Sequence, residues 1–155
     1  MYYSCMKQAA AGAPTVSDPA REGGQVMFGL IKAGRVLEDQ LEKGLAHVGL
    51  SMPKYSVLSA LAESGESLPL SELAAKLSCV RSNITQLVDR LEADGLVRRT
   101  DDPADRRSVR AALTPLGRAR CLTGAEEIAR VEKEFAASLP AGDLCALGRA
   151  LGSLK

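Results

Sequence analysis

Between residues 24 and 48, small or apolar residues occupy every third or fourth position of the chain. This spacing predicts an amphipathic helix, because it gathers the apolar side chains on one face. Gly49 is expected to end that helix. Residues 1–23 show no such period and contain many Ala, Gly, Pro and Ser residues, so they are predicted to form a mobile tail. The periodic positions are Met27, Leu30, Gly34, Leu37, Leu41, Leu45 and Val48.

Three shorter helices are predicted in the next part of the chain. The second helix starts after Ser51 and has Pro53 in its first turn, where the missing N–H costs nothing. Residues 67–70 are expected to form an extended link, after which Ser71 caps a short third helix. The fourth helix covers roughly residues 81–94. The inward positions of these helices are Tyr55, Leu58 and Leu61; Leu73, Ala74 and Leu77; and Ile84, Leu87, Val88 and Leu91.

The apolar period then changes from that of a helix to that of strands. Residues 96–100 and 108–113 are predicted to be two strands joined by a polar turn, with Val109, Ala111 and Leu113 on one face. A long helix follows over residues 115–137, capped by Thr114. Pro140 starts the last helix, in which Leu144, Leu147 and Leu151 are predicted to face inward. The predicted fold is therefore mainly α with a small β-hairpin, in the order α-α-α-α-β-β-α-α.

The fourth helix has two chemically different faces. Its four inward residues are aliphatic, whereas the opposite face carries Ser82, Thr85, Gln86, Asp89 and Arg90. A helix with a polar outer face fits the major groove of B-DNA, where Gln pairs with adenine and Ser or Thr contacts bases or phosphates. Two helices joined by a short turn and followed by a basic hairpin indicate a winged helix-turn-helix over residues 51–113.

Composition and charge permit this interpretation and exclude several others. The formal net charge is +1, but residues 71–120 hold ten Lys or Arg against seven Asp or Glu. No apolar run approaches the roughly 18 residues of a membrane span, and no signal peptide is visible, so the protein is expected to be cytoplasmic. The chain has one His, no closely spaced cysteine pair and none of the common catalytic motifs. We therefore expect no metal, no cofactor and no enzymatic activity.

Four segments, in this order and spacing, make the chain resemble the MarR (multiple antibiotic resistance regulator) family. The resemblance covers about residues 24–154. Its segments are Leu50-Ser51-Met52-Pro53-Lys54-Tyr55 with Val57-Leu58; Leu73-Ala74-Ala75-Lys76-Leu77; Leu87-Val88-Asp89-Arg90-Leu91-Glu92-Ala93-Asp94-Gly95-Leu96-Val97; and Asp102-Pro103-Ala104-Asp105-Arg106-Arg107-Ser108, ending in Leu113-Thr114.

The resemblance implies a sequence-specific regulator of transcription that binds double-stranded DNA. Asp105 and Arg107 correspond to the pair at the tip of the wing, where the Arg enters the minor groove and the Asp holds it in place. Asp89 is expected to be braced by a neighbouring arginine, from the wing or from Arg90. Val80 occupies the position where the family usually has a capping Ser or Asp. The predicted DNA-binding residues are Arg81, Ser82, Asn83, Thr85, Gln86, Arg90, Arg98, Arg99, Asp105, Arg106 and Arg107, with Arg98 and Arg99 mainly on phosphate.

The resemblance also implies a homodimer, formed through the helices at 24–50 and 114–155, that acts as a repressor on a pseudo-palindromic operator. A small aromatic or phenolic effector is expected between the dimerisation helices and the DNA-binding part. The residues expected around it are Leu41, His47, Tyr55 and Leu116.

Two alternative functions remain open from the sequence. One is a winged helix that binds another protein instead of DNA. The other is a regulator of the same fold that senses oxidants through one of its cysteines, at positions 5, 79, 121 and 145. Cys79 lies in the turn of the helix-turn-helix, where the family usually has an apolar residue, so its expected role is packing.

Overall fold

The computed structural model describes residues 19–102 and 108–154. Within these ranges the predicted mainly helical fold is confirmed. The helices are α1 (Pro19–His47), α2 (Met52–Ser64), α3 (Leu70–Lys76), α4 (Arg81–Ala93), α5 (Pro115–Ala137) and α6 (Ala141–Gly152), and the strands are β1 (Leu68–Pro69), β2 (Val97–Asp101) and β3 (Val109–Leu113).

The extended link before α3 is a strand, which the sequence analysis did not predict. β1 pairs with β3 in antiparallel fashion, with Leu68 opposite Ala111, so the sheet has three strands in the order β1-β3-β2. Leu68 is buried, whereas Pro69 is only half-buried. A two-residue strand carries too little alternation to be recognised in a sequence, and it is held here by its pairing and by the burial of Leu68.

Two helix boundaries differ from the expected ones. α3 begins at Leu70, and Pro69 takes its N-cap position without a side-chain hydrogen bond, so the prediction that Ser71 caps this helix is wrong. The strand runs directly into the helix, and proline supplies the required φ of −59°. α1 begins at Pro19, five residues before the start of the apolar period, because a helix does not need an apolar face in its first turn.

The hydrophobic core lies around α2, α3 and α4. These three helices contribute residues from the faces predicted to be inward, and Tyr55, Leu77 and Leu87 pack against the core while remaining partly exposed. Ala111 and Leu113 of β3 are buried as predicted, whereas Val109 at the far end of the strand is exposed. The buried residues of this core are Leu45, Leu50, Val57, Leu58, Ala60, Leu61, Leu68, Leu70, Leu73, Ala74, Ile84, Val88, Leu91, Leu96, Val97, Ala111, Leu113 and Cys121.

Residues 19–36 form a separate unit that consists of the first part of α1. Its side chains are described from residue 23 onwards, and five large apolar ones are exposed: Val26, Met27, Phe28, Ile31 and Val36.

The last helix, α6, lies in the unit formed by residues 37–155 and buries none of its residues. Leu144 and Leu147 are half-buried and Leu151 is exposed, although all three were predicted to face inward. Among the described residues, no helix is both long and apolar enough to cross a membrane.

Candidate nucleic-acid interface

Helix α4 presents the polar face that the sequence predicts. Ile84, Val88 and Leu91 fix it to the core with no measurable exposure. Val80 stands at the N-cap and makes no side-chain capping bond, which confirms that this helix begins without the usual cap. Gly95 follows the helix with a φ of 72°, a left-handed conformation that favours glycine. The helix is therefore held by its buried side and by the backbone hydrogen bonds of its C-terminal turn, and not by an N-terminal side-chain cap.

Most of the predicted base-contacting residues of α4 are free to meet a ligand. Thr85 is the exception, since it is half-buried and its hydroxyl donates a hydrogen bond to the carbonyl of Arg81 at 3.0 Å. A groove of about 300 Å³ runs beside Asn83, Gln86 and Arg90. The exposed polar residues of this helix are Arg81, Ser82, Asn83, Gln86, Asp89, Arg90 and Glu92.

The two neighbouring arginines of β2 point to opposite faces of the sheet, as successive strand residues do. Arg98 is exposed and lines a groove of about 220 Å³ together with Thr100 and Arg118. Arg99 is on the other face, where it meets α4. Two positions that share one expected role in the sequence thus have different surroundings in the structure.

Arg99 is held by α4 through several polar contacts. Its Nη2 forms an ion pair with Oδ1 of Asp89 and donates to the carbonyl of Thr85 at 3.1 Å. Its Nε lies 3.7 Å from Oε2 of Glu92, and its backbone N–H donates to Oε1 of the same carboxylate at 3.0 Å. The prediction that an arginine braces Asp89 is confirmed, and the arginine belongs to the first strand of the wing.

A second arginine, Arg110 of β3, fixes the base of the wing and was missed by the sequence analysis. Its Nη1 donates to Oδ2 of Asp102 at 2.9 Å, and its Nε donates to the hydroxyl of Ser67 at 2.9 Å. Its Nη2 donates to the carbonyl of Ser67. The only available signal was the basic residue in the hairpin, because Ser67 comes close only when β1 pairs with β3.

The predicted wing-tip residues Asp105, Arg106 and Arg107 lie outside the described residues. The structure therefore describes the two strands up to Asp102 and from Ser108 onwards.

Two of the predicted effector residues line different grooves. Tyr55 lies in a groove of about 430 Å³ between α2 and α3, and Leu116 lies in one of about 280 Å³ that also contains Lys54 and Arg120. Leu41 is half-buried and His47, the last residue of α1, is exposed. Lys54 and Arg120 were not predicted; each has an intramolecular partner, Asp94 Oδ2 at 2.6 Å for Lys54 and the Val48 carbonyl at 2.6 Å for Arg120.

The cysteines differ in their surroundings. Cys79 is exposed, so the prediction that it packs in the turn is wrong; the turn carries its side chain outward to the groove beside α4. Cys121 is buried against α2, and burial is the main cause that raises the pKa of its thiol. Burial also raises the pKa of Tyr55, with the nearby Cys121 adding to the effect. The described residues hold no cluster of His, Cys, Asp and Glu that could bind a metal ion.

Known proteins share both the sequence and the fold. The MarR family profile matches residues 50–109. The transcriptional regulator TtmR from Methylorubrum extorquens (strain PA1) is 36% identical over 120 residues, which are 72% of this chain and 61% of TtmR. The chain spans 53% to 54% of the length of further curated regulators of the helix-turn-helix type.

Two solved structures extend this similarity to the whole fold. Sco3205 from Streptomyces coelicolor, a MarR family regulator in complex with DNA, is 30% identical; the match covers 90% of this chain and 89% of Sco3205, with a TM-score of 0.76. CouR from Rhodococcus jostii RHA1, bound to p-coumaroyl-CoA, is 27% identical, with 83% and 90% of the two chains covered and a TM-score of 0.67. Its sequence segments, its fold and these relatives show that the chain belongs to the MarR family of transcriptional regulators.

Proposed function

We propose that the protein is a sequence-specific DNA-binding regulator of transcription that inserts α4 into the major groove. The observation that carries the proposal is the division of α4 into a fully buried aliphatic side and an exposed polar side. Gln86 and Asn83 offer the side-chain amides that pair with adenine, and the N-terminal part of a recognition helix is the part that meets base edges. Sco3205, a relative with the same fold, was crystallised in complex with DNA, which supports DNA binding.

The wing adds a second contact to the DNA in this proposal. Arg107 enters the minor groove with Asp105 beside it, because a planar, permanently charged guanidinium suits the negative potential of a narrow groove. Arg106 and the exposed Arg98 contact phosphates. Phosphate contacts of this kind position the protein, while the residues of α4 select the sequence.

The regulator acts as a homodimer on a pseudo-palindromic operator, with half-sites roughly 10 bp apart from centre to centre. Two observations support a second copy. Four large apolar side chains between residues 23 and 31 are exposed, and α6 has no buried residue although its Leu positions repeat with a helical period. Exposed apolar stripes of this length are favourable only when another surface covers them.

An aromatic organic anion is the proposed effector, and repression relieved by that anion is the proposed mode of action. CouR, which has the same fold, is bound to p-coumaroyl-CoA in its structure. In the groove at Leu116, Asp94 pairs with Lys54, whereas the Nη1 of Arg120 donates to the neutral Val48 carbonyl. Arg120 therefore supplies a cation beside the apolar side chains of Leu96 and Leu116, which suits a carboxylate attached to a ring. Leu41, His47 and Tyr55 remain the other proposed effector residues. The ligand acts by favouring one spacing of the two DNA-binding parts over another.

The test is binding of the full chain to the intergenic DNA beside its own gene. We expect a protected segment with two-fold symmetry and an affinity that falls steeply as salt rises, because Lys and Arg displace counterions from phosphates. A scrambled fragment of the same length and composition is the control. Equal affinity for both fragments would contradict sequence-specific binding, and no binding to either would favour a winged helix that binds protein.

The effector proposal needs a separate measurement. A panel of phenolic acids and their thioesters is added to the protein and to the protein–operator complex. We expect at least one compound to raise the melting temperature and to weaken operator binding. A panel without effect on either quantity would contradict a phenolic effector.

A further inference from the structure

The polar contacts of Arg99 connect two elements that must act together on DNA. β2 is the first strand of the wing, and α4 is the proposed recognition helix. Both the side chain and the backbone of Arg99 are fixed to α4, since Glu92 accepts from the backbone N–H at 3.0 Å and Asp89 pairs with the guanidinium. Main-chain and side-chain contacts at one residue restrict both the position and the direction of the strand.

The charge of Asp89 gives this pair a second consequence. Its side chain is 52% exposed and lies on the polar side of α4, beside Gln86 and Arg90. An unpaired carboxylate at this place would repel phosphate, but the Arg99 guanidinium neutralises it. Only 28% of the Arg99 side chain is exposed, so its charge is directed into the protein, in contrast to the exposed Arg98.

We propose that Arg99 is a positioning residue, which holds the wing at a fixed distance from the recognition helix through Asp89 and Glu92, and that it is not a phosphate contact. The proposal rests on the DNA-binding function proposed above. The two basic residues of β2 then have different roles: Arg98 binds DNA, and Arg99 holds the wing in place relative to α4.

The functional value of the Arg99 contacts follows from the two grooves that must be occupied at once. If the wing can move relative to α4, the wing must be ordered when both elements bind DNA, and this ordering weakens binding. The loss applies to the operator complex, because both elements fit the DNA there. Non-specific DNA, which is held mainly through phosphates, does not require the same fixed spacing. Loss of the Arg99 contacts should therefore reduce specificity more than general affinity.

Asp89→Asn distinguishes a solvated acid from a residue that holds Arg99, because the two roles predict opposite changes in operator affinity. If Asp89 were only a solvated acid, its neutralisation would raise affinity for every DNA, because a negative charge near phosphate is removed. If Asp89 holds Arg99, operator affinity should fall about threefold to tenfold while affinity for scrambled DNA stays level or rises.

Asp94→Asn is the matched control. Asp94 pairs with Lys54 at 2.6 Å, and the two side chains are 45% and 25% exposed, close to the values for Asp89 and Arg99. This second pair joins α4 to α2 and not to the wing, so its loss should leave the ratio of operator to scrambled affinity unchanged. Melting temperatures of both variants show whether stability alone explains a difference.

Arg99→Gln in the Asp89→Asn background separates positioning from phosphate binding by its salt dependence, because it removes both charges of the pair and leaves no carboxylate to repel phosphate. A lost phosphate contact lowers the slope of log affinity against log salt by about one and weakens all sequences alike. A lost positioning contact leaves the slope as in the wild type and weakens the operator selectively. Arg99→Lys keeps a cation next to Asp89 and should restore part of the operator affinity. Operator affinity that is unchanged or higher in Asp89→Asn would overturn the proposal. A salt slope that is lower in the double variant than in Asp89→Asn would also overturn it.

Hydrogen exchange without DNA distinguishes failure of this proposal from failure of the function. In Arg99→Gln, the amides of β2 and β3 should exchange faster, while those of α4 stay protected by the core. Unchanged exchange in the strands would overturn the positioning role even if the protein binds its operator. A wild-type protein that binds no DNA would overturn the function and, with it, the use of these contacts in DNA binding.

Discussion

The winged helix and the last helix, α6, differ in how their apolar side chains are covered. Between residues 45 and 121, apolar side chains of eight elements and their connections meet in one core, in which Leu58, Leu73 and Leu91 have no measurable exposure. α6 has an apolar stripe of comparable spacing and buries none of it. The winged helix is therefore stabilised within one copy of the chain, whereas α6 is only partly covered, with Leu144 and Leu147 half-buried and Leu151 exposed.

Two helical glycines offer the largest test of this difference. A Cβ at Gly117 of α5 would lie 1.9 Å from the carbonyl oxygen of Leu96, whereas a Cβ at Gly148 of α6 would meet nothing within 4 Å. Gly117→Ala should therefore destabilise the protein by at least about 3 kcal/mol, because a backbone atom must move. Gly148→Ala should stabilise its helix by up to about 1 kcal/mol.

Urea denaturation of both variants measures the effect. If Gly117→Ala proved as stable as the wild type, the close packing of α5 on the residue before β2 would be wrong. A clear loss for Gly148→Ala would show that α6 is covered closely, for example by a second copy of the chain.

The next largest effect concerns the proposed dimer. Phe28, 67% exposed, and Leu151 lie in the two segments with uncovered apolar residues. Phe28→Asp and Leu151→Asp should each weaken self-association by about 2 kcal/mol, which is typical of a central apolar interface residue. Light scattering across a concentration series measures the shift from dimer to monomer.

Ser71→Asp serves as the control, since this exposed residue lies at the start of α3 in the winged helix. It should leave the association unchanged. A wild-type protein that is a folded monomer at micromolar concentration would contradict the dimer, and the exposed residues would then need another partner.

A smaller effect separates the residues that select a base from those that hold the phosphate backbone. Gln86→Ala should lose about 1–2 kcal/mol at one operator position and relax discrimination there. Arg98→Ala should weaken all sequences alike and lower the salt slope by about one. Binding to operators with single base changes, measured at several salt concentrations, distinguishes the two. The reverse pattern would mean that α4 is not the helix in the major groove.

The sequence was sufficient for features that repeat along a helix. The buried sides of α2, α3 and α4 and the polar side of α4 could be predicted because each follows a period of 3.6 residues. The role of Arg99 could not be predicted, since it depends on contacts with Asp89 and Glu92 of another element, and such contacts cannot be read from the sequence. Strand β1 was missed for the same reason, and Arg110 with it. The exposure of Cys79 depends on the path of a short turn, which the family resemblance does not fix.

The smallest expected effect is a loss of stability at alkaline pH. Burial raises the pKa of the Cys121 thiol above its ordinary value of 9.0, with Glu63 adding to the shift. As pH rises past 9.0, the thiol ionises in the unfolded chain while it stays protonated in the folded protein. The folded state then binds more protons, so the free energy of unfolding falls as pH rises toward the folded pKa. The pKa of Tyr55 is raised in the same way, so its hydroxyl adds a further loss of stability above about pH 10, its ordinary pKa.

Cysteine variants test whether the fall in stability with pH comes from Cys121. Cys121→Ala should flatten the fall in stability that begins near pH 9, because the titrating thiol is gone. Cys145→Ala removes an exposed thiol of α6 and is the control for the loss of a cysteine elsewhere in the chain. Urea denaturation at pH values from 8 to 10.5 measures both variants. If the two alanine variants flattened the slope equally, the loss of stability at alkaline pH would not come from the Cys121 thiol.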